Sequence, residues 1–188
     1  MKTIHIFLIF VLAALIQLFV PAQMILNRET VLKEGTVYKF KTRPIDPNDP
    51  FRGKYITLQY DIDTLKTSDT LWQRTEEAYV YFIKDANGFA EATRISREKL
   101  DLDEDYVIAE ISWYDKNKQE VRVNFPFNRY YIEESKAEEA EEAYRIAQTD
   151  SLPDNTYALV HIKNGTAVLA DVLIDDVSIK DHVLNNRK

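Results

Sequence analysis

Arg52, Tyr55 and Arg129 are the side chains whose type and setting best suit a binding site. A guanidinium presents a planar fork of donors that fits a carboxylate or phosphate bidentately, and Arg and aromatic side chains are the types that anchor interfaces. Arg52 stands in "RPIDPNDPFRGKYITLQYDI", residues 43–62, between a proline-rich stretch and a glycine turn. A salt bridge to Asp46 or Asp49, or capping of loop carbonyls, would instead make Arg52 purely structural. Arg129, beside Tyr130 and Tyr131, carries the same two readings.

Other chemistry finds little footing. Asp46 and Asp49 lack the ligand count and glycine spacing of a calcium loop. His161 and His182 have no spacing that serves zinc. The acidic run from Glu133 to Glu142 reads as a solvated helical face. No nucleophile elbow, phosphate loop or dinucleotide-binding glycine pattern occurs, and there is no cysteine. The sequence therefore nominates no catalytic residue, metal or cofactor. A net charge of −7 argues against a nucleic-acid partner, which requires a basic face.

The elements that must hold these residues are mostly strands. Pro44, Pro47 and Pro50 each fix φ and remove a donor, so no ladder runs through residues 43–50, and Asp46 and Asp49 favour Asx-type turns. Gly53 permits a left-handed turn or a close approach. Beyond it Ile56, Leu58, Tyr60 and Ile62 alternate as a core face against Tyr55, Thr57, Gln59 and Asp61. Further strands are expected at residues 36–41, 77–84, 89–95, 106–114 and 121–127, the fourth alternating Val107, Ala109, Ile111 and Trp113 on one face against Ile108, Glu110 and Ser112 on the other. Residues 157–163 and 166–174 flank Asn164-Gly165, a strong two-residue hairpin signal. One helix is expected over 135–148: Ser135 and Glu138 form a capping box, and Ala137, Ala140, Tyr144 and Ala147 make a narrow apolar stripe. The fold class is thus mostly β with some α, a curved sheet or small β-barrel with one helix packed on it.

Residues 4–26 contain no Asp, Glu, Lys or Arg, enough at about 1.5 Å per residue to span a hydrocarbon core of about 30 Å. They read as a transmembrane anchor; a cleaved leader ending near Val20-Pro21-Ala22 is the competing reading. The expected layout is residues 1–3 cytoplasmic, 4–26 the anchor, 27–34 a short polar linker, 35–180 the domain and 181–188 a tail. The domain is read as extracytoplasmic, because a long domain after an N-terminal apolar segment translocates largely regardless of charge.

The stretch "DPNDPFRGKYITLQYDI" resembles the signature of the GDYXXLXY-domain proteins, with Gly53, Tyr55, Leu58 and Tyr60 on its named positions, Asp46 and Pro47 upstream, and Lys54 in place of its aspartate. "NRETVLKEGTVYKFKTRPIDP" and "FPFNRYYIEESKAEEAE" are similar to the same family. The resemblance implies a bacterial, membrane-anchored, β-rich periplasmic domain, with multi-pass membrane proteins as candidate partners, and it supplies no catalytic residues. The function expected is a membrane-tethered binding or assembly module presenting Arg52, Tyr55 and Arg129. An envelope hydrolase using the same surface and a ligand-binding barrel remain the alternatives.

Overall fold

A computed structural model describes residues 3–43, 55–133, 139–140, 143–144, 147 and 156–181. The chain opens with α1 (Thr3–Glu34), whose apolar stretch is long enough to cross a membrane and is nowhere buried against the rest of the protein. The polar residues 27–34 continue this helix without a break, where the sequence suggested a separate linker. None of them is Gly or Pro, and the i,i+4 pair Glu29–Lys33, 3.0 Å apart, supports the last turns.

The helix end is locked to the strands that follow. Val31 is buried, the last turn packs on the hairpin near the C-terminus, and Glu34 pairs with Lys163. The hydrogen bond and charge of Lys163 lower the Glu34 pKa. At Gly35, whose N–H donates to the Val31 carbonyl at 2.9 Å, a Cβ would stand 2.4 Å from that same oxygen. Only glycine fits this junction.

The strands are β1 (Thr36–Arg43), β2 (Tyr55–Thr57), β3 (Gln59–Tyr60), β4 (Thr64–Lys66), β5 (Glu77–Lys84) and β6 (Ala90–Ser96). They continue with β7 (Asp105–Asp115), β8 (Glu120–Asn124), β9 (Arg129–Tyr131), β10 (Thr156–Lys163), β11 (Thr166–Ile174) and β12 (Val177–Ser178). One sheet runs β12-β11-β10-β1-β3, the other β4-β8-β7-β5-β6, and β2-β9 forms a ribbon of its own. Parallel bridges Lys39–Phe89 and Val107–Gly165 draw the two large sheets together, and the result is a nearly closed barrel, as the alternation predicts. The expected hairpin forms with Asn164 and Gly165 at φ +50° and +82°, and Gly88, at φ +85°, helps turn β5 into β6.

The barrel interior is filled with rings. Phe40, fully buried, lies edge-on to Tyr60, Phe82, Phe125 and Phe127, and Phe125 stacks on Phe127 with centroids 5.2 Å apart. Residues 139–140, 143–144 and 147 are helical, and Ala140, Tyr144 and Ala147 are buried as the stripe predicts. Ser135, Ala137 and Glu138 lie outside the described residues.

Two expectations from alternation need correction. A bulge between Ile111 and Trp113 shifts the register of β7, so Trp113 turns outward at 46% exposure while Val107, Ala109 and Ile111 stay inside. The single strand expected over residues 55–62 is divided into β2, β3 and a 3-10 turn over Asp61–Asp63. Its partner changes from β9 to β1, with Leu58 donating between them to the Asn128 carbonyl at 2.9 Å.

Candidate functional site

That change of partner builds the candidate site. In the β2-β9 ribbon Tyr55 lies opposite Tyr131, Ile56 opposite Tyr130 and Thr57 opposite Arg129. Ile56 and Tyr130 are buried, so the two-residue period leaves Tyr55, Thr57, Arg129 and Tyr131 on the outer face. There the Arg129 guanidinium sits 5.0 Å from the centroid of the Tyr55 ring, and the Tyr55 and Tyr131 rings are 5.6 Å apart. Tyr131 is 65% exposed.

The next residues carry the same face into a cleft of about 310 Å³. Pairing of β3 with β1 sets Gln59 beside Arg43, whose Nε donates to Gln59 Oε1 at 3.2 Å. The 3-10 turn then swings Asp63 inward, so that it is buried against the Arg43 guanidinium. Pairing of β4 with β8 brings up Arg122, with Nε 3.9 Å from Asp63 Oδ1 and 3.5 Å from Thr64 Oγ1. Thr64 itself donates to Asp63 Oδ1 at 2.9 Å. Thr57, Asn124 and Asn128 add neutral polar groups to the wall.

The floor beneath is rigid and apolar. Leu58 and Tyr60 point into the core, and the Tyr60 hydroxyl donates to the Phe127 carbonyl at 2.7 Å. Burial raises the Tyr60 pKa well above the usual phenol range. Tyr130, below the ribbon, is also raised, by burial first and then by its 2.6 Å hydrogen bond to Asp171. Of the signature positions, Leu58 and Tyr60 thus hold the strand down, and Tyr55 faces out.

The structure therefore brings Tyr55 and Arg129 together in direct contact. Arg52, Gly53, Lys54, Asp46 and Pro47 lie outside the described residues. Sequence reasoning passes over Arg43, Asp63 and Arg122. Gln59, Arg122 and Asn124 are legible as polar faces of their strands, and the missing information is which strands pair. For Asp63, a strict two-residue period gives the wrong face, because the 3-10 turn breaks it.

The family model described as GDYXXLXY protein matches residues 17–172, from within α1 to β11. No curated protein and no solved structure matches the chain.

Proposed function

We propose that this chain, which belongs to the GDYXXLXY family, is a membrane-anchored binding or assembly module whose domain stands on the extracytoplasmic side. The observation that carries this reading is the continuous outer face of Tyr131, Tyr55, Arg129 and the Arg43–Asp63–Arg122 cleft, set on paired strands. Aromatic and Arg side chains on a rigid frame lose little conformational freedom when a partner covers them. The unburied apolar stretch of α1 supports the anchor, since such a helix is costly in water and stable in lipid. A multi-pass membrane protein is the partner class this tethering favours.

The two alternatives fit less well. A ligand-binding barrel needs internal space, and here the interior is occupied by Phe40, Tyr60, Phe82, Phe125 and Phe127. A hydrolase acting in the cleft needs a base open to water, and both Asp63 oxygens are engaged by Arg43, Thr64 and Arg122.

Three measurements on the full chain test the proposal. A reporter fused after Lys188 that works only in the cytoplasm should stay silent, and activity there would reverse the topology. Arg129→Ala and Tyr55→Ala should fail to complement loss of the gene while accumulating to normal levels. Turnover of peptidoglycan or peptides by the purified chain, with both variants complementing fully, would overturn the module reading in favour of an enzyme.

A further inference from the structure

We infer that the Arg43–Asp63–Arg122 cleft is a binding site for an oxyanion, a carboxylate or phosphate group of a polar ligand, held by the outward edge of Arg122. This rests on the reading of the outer face as a recognition surface and names the chemistry that surface selects.

The charge of the cleft favours an anion. Among the described residues that line it, two guanidiniums face one carboxylate. Arg43 and Asp63 pair closely, with the Asp63 side chain 10% exposed and that of Arg43 29%. Arg122 is only loosely attached to this pair, at 3.9 Å through Nε. One positive charge is left in excess inside a concave site, on a chain whose net charge is −7. Clefts of one sign concentrate their counter-ions.

The geometry of Arg122 fits the same ligand. Its Nε is spent on Thr64 and Asp63, and neither of its Nη groups has a partner among the described residues. An Nη pair is the edge that meets a carboxylate or phosphate with two parallel hydrogen bonds. The Arg122 side chain is 50% exposed, so that edge is open to a ligand. Asn124 and Asn128 line the same cleft with neutral donors and acceptors for the remainder of a polar molecule. At about 310 Å³ the cleft suits a small group or the end of a chain.

The position of the cleft separates the two sources of such an anion. Arg43 ends β1, whose first residue, Thr36, follows the junction with α1 at Gly35. Seven residue steps at about 3.3 Å place Arg43 roughly 23 Å along the strand from that junction. Val31, Gly35 and the Glu34–Lys163 pair fix the helix to the barrel at the other end of that strand. This separation favours a soluble molecule or an extramembranous segment, over headgroups of the membrane that holds α1, as the source of the anion.

The test titrates inorganic phosphate and glutarate, separately, into the full chain in zwitterionic nanodiscs. Binding is followed by calorimetry and by the ¹H–¹⁵N signals of the arginine side chains. Both anions should bind saturably, compete with each other, weaken with added salt and move the Arg122 signal. Arg122→Ala and Arg122→Lys should each weaken binding by about tenfold or more, and Arg94→Lys, an exposed arginine on β6, should match the wild type. Melting curves confirm that each variant is folded, and the lysine variant keeps the charge if the alanine variant melts early. Equal responses from Arg122→Lys and Arg94→Lys, or a response seen only when anionic lipid is added to the nanodisc, would overturn the assignment. Failure of the module reading would show differently, as turnover of an envelope substrate together with intact complementation by the Tyr55 and Arg129 variants.

Discussion

Arg129 lies over the ring of Tyr55 at 5.0 Å because Thr57, two residues along β2, is its partner in the β2-β9 ladder. Far apart in sequence, the two side chains share one face of a two-stranded ribbon whose opposite face is buried. Cation–π contacts at exposed sites contribute about 0.5–1 kcal/mol. A double-mutant cycle of Tyr55→Leu and Arg129→Gln, read by chemical denaturation, should therefore give a coupling of about that size. Each single variant should cost less than about 1 kcal/mol of stability. A coupling indistinguishable from zero would mean that the two side chains do not act together.

Alkaline pH should unfold the domain through its phenols. Tyr60 is raised by burial, Tyr38 by burial and then Asp105, and Tyr130 by burial and then Asp171. Each titrates near pH 10 when unfolded, at about the ordinary tyrosine value, and higher when folded. The stability these groups contribute is fully present below about pH 10 and is lost as pH rises from there towards the folded values. Tyrosinate absorbance should show Tyr38, Tyr60 and Tyr130 ionising above the ordinary range, as the fold opens. Titration of every tyrosine in one step near pH 10, with the fold intact, would contradict the burial assigned to Tyr60.

The 164–165 turn offers a conformational test. Gly165 has φ +82°, and a Cβ there would come within 2.5 Å of the Tyr106 ring. Gly165→Ala should destabilise the domain by about 1–3 kcal/mol through backbone strain alone, and by more if the ring cannot shift. Replacing Tyr106 with Leu in the same chain should recover part of the loss. An unchanged melting temperature for Gly165→Ala would mean that this turn is not held as described.

The hydrogen bond beneath the cleft can be removed without changing shape. Tyr60→Phe deletes the donor to the buried Phe127 carbonyl and should cost about 1–3 kcal/mol. No change in the free energy of unfolding would indicate that water or another donor serves that carbonyl.

Much of this architecture is legible in the periodicity of the sequence. The alternation in residues 121–127 puts Val121, Val123, Phe125 and Phe127 inside, Asn164-Gly165 marks its hairpin, and Ala140, Tyr144 and Ala147 mark the buried stripe of the helix. The short strands β4, β9 and β12 leave no signal, because two or three residues are too few to show a period. Trp113 and Asp63 escape the pattern for a related reason: a bulge and a 3-10 turn each shift the phase by local geometry. At the site, residue type points to Tyr55 and Arg129, and their contact depends on a pairing between segments more than seventy positions apart. The cleft is harder still to foresee, since Arg43, Asp63 and Arg122 come from three regions of chain brought together by two different sheets.

Photocrosslinking in living cells tests the central claim, that this outer face binds a membrane-protein partner, most directly. A photoreactive residue is placed in turn at Tyr131, beside Tyr55, and at Arg94, exposed on β6. One defined adduct is expected from position 131, containing a multi-pass membrane protein, absent from position 94, and lost when Arg129 is changed to Ala. Adducts of equal yield from both positions, or none from position 131 in cells where the protein is active, would contradict the claim.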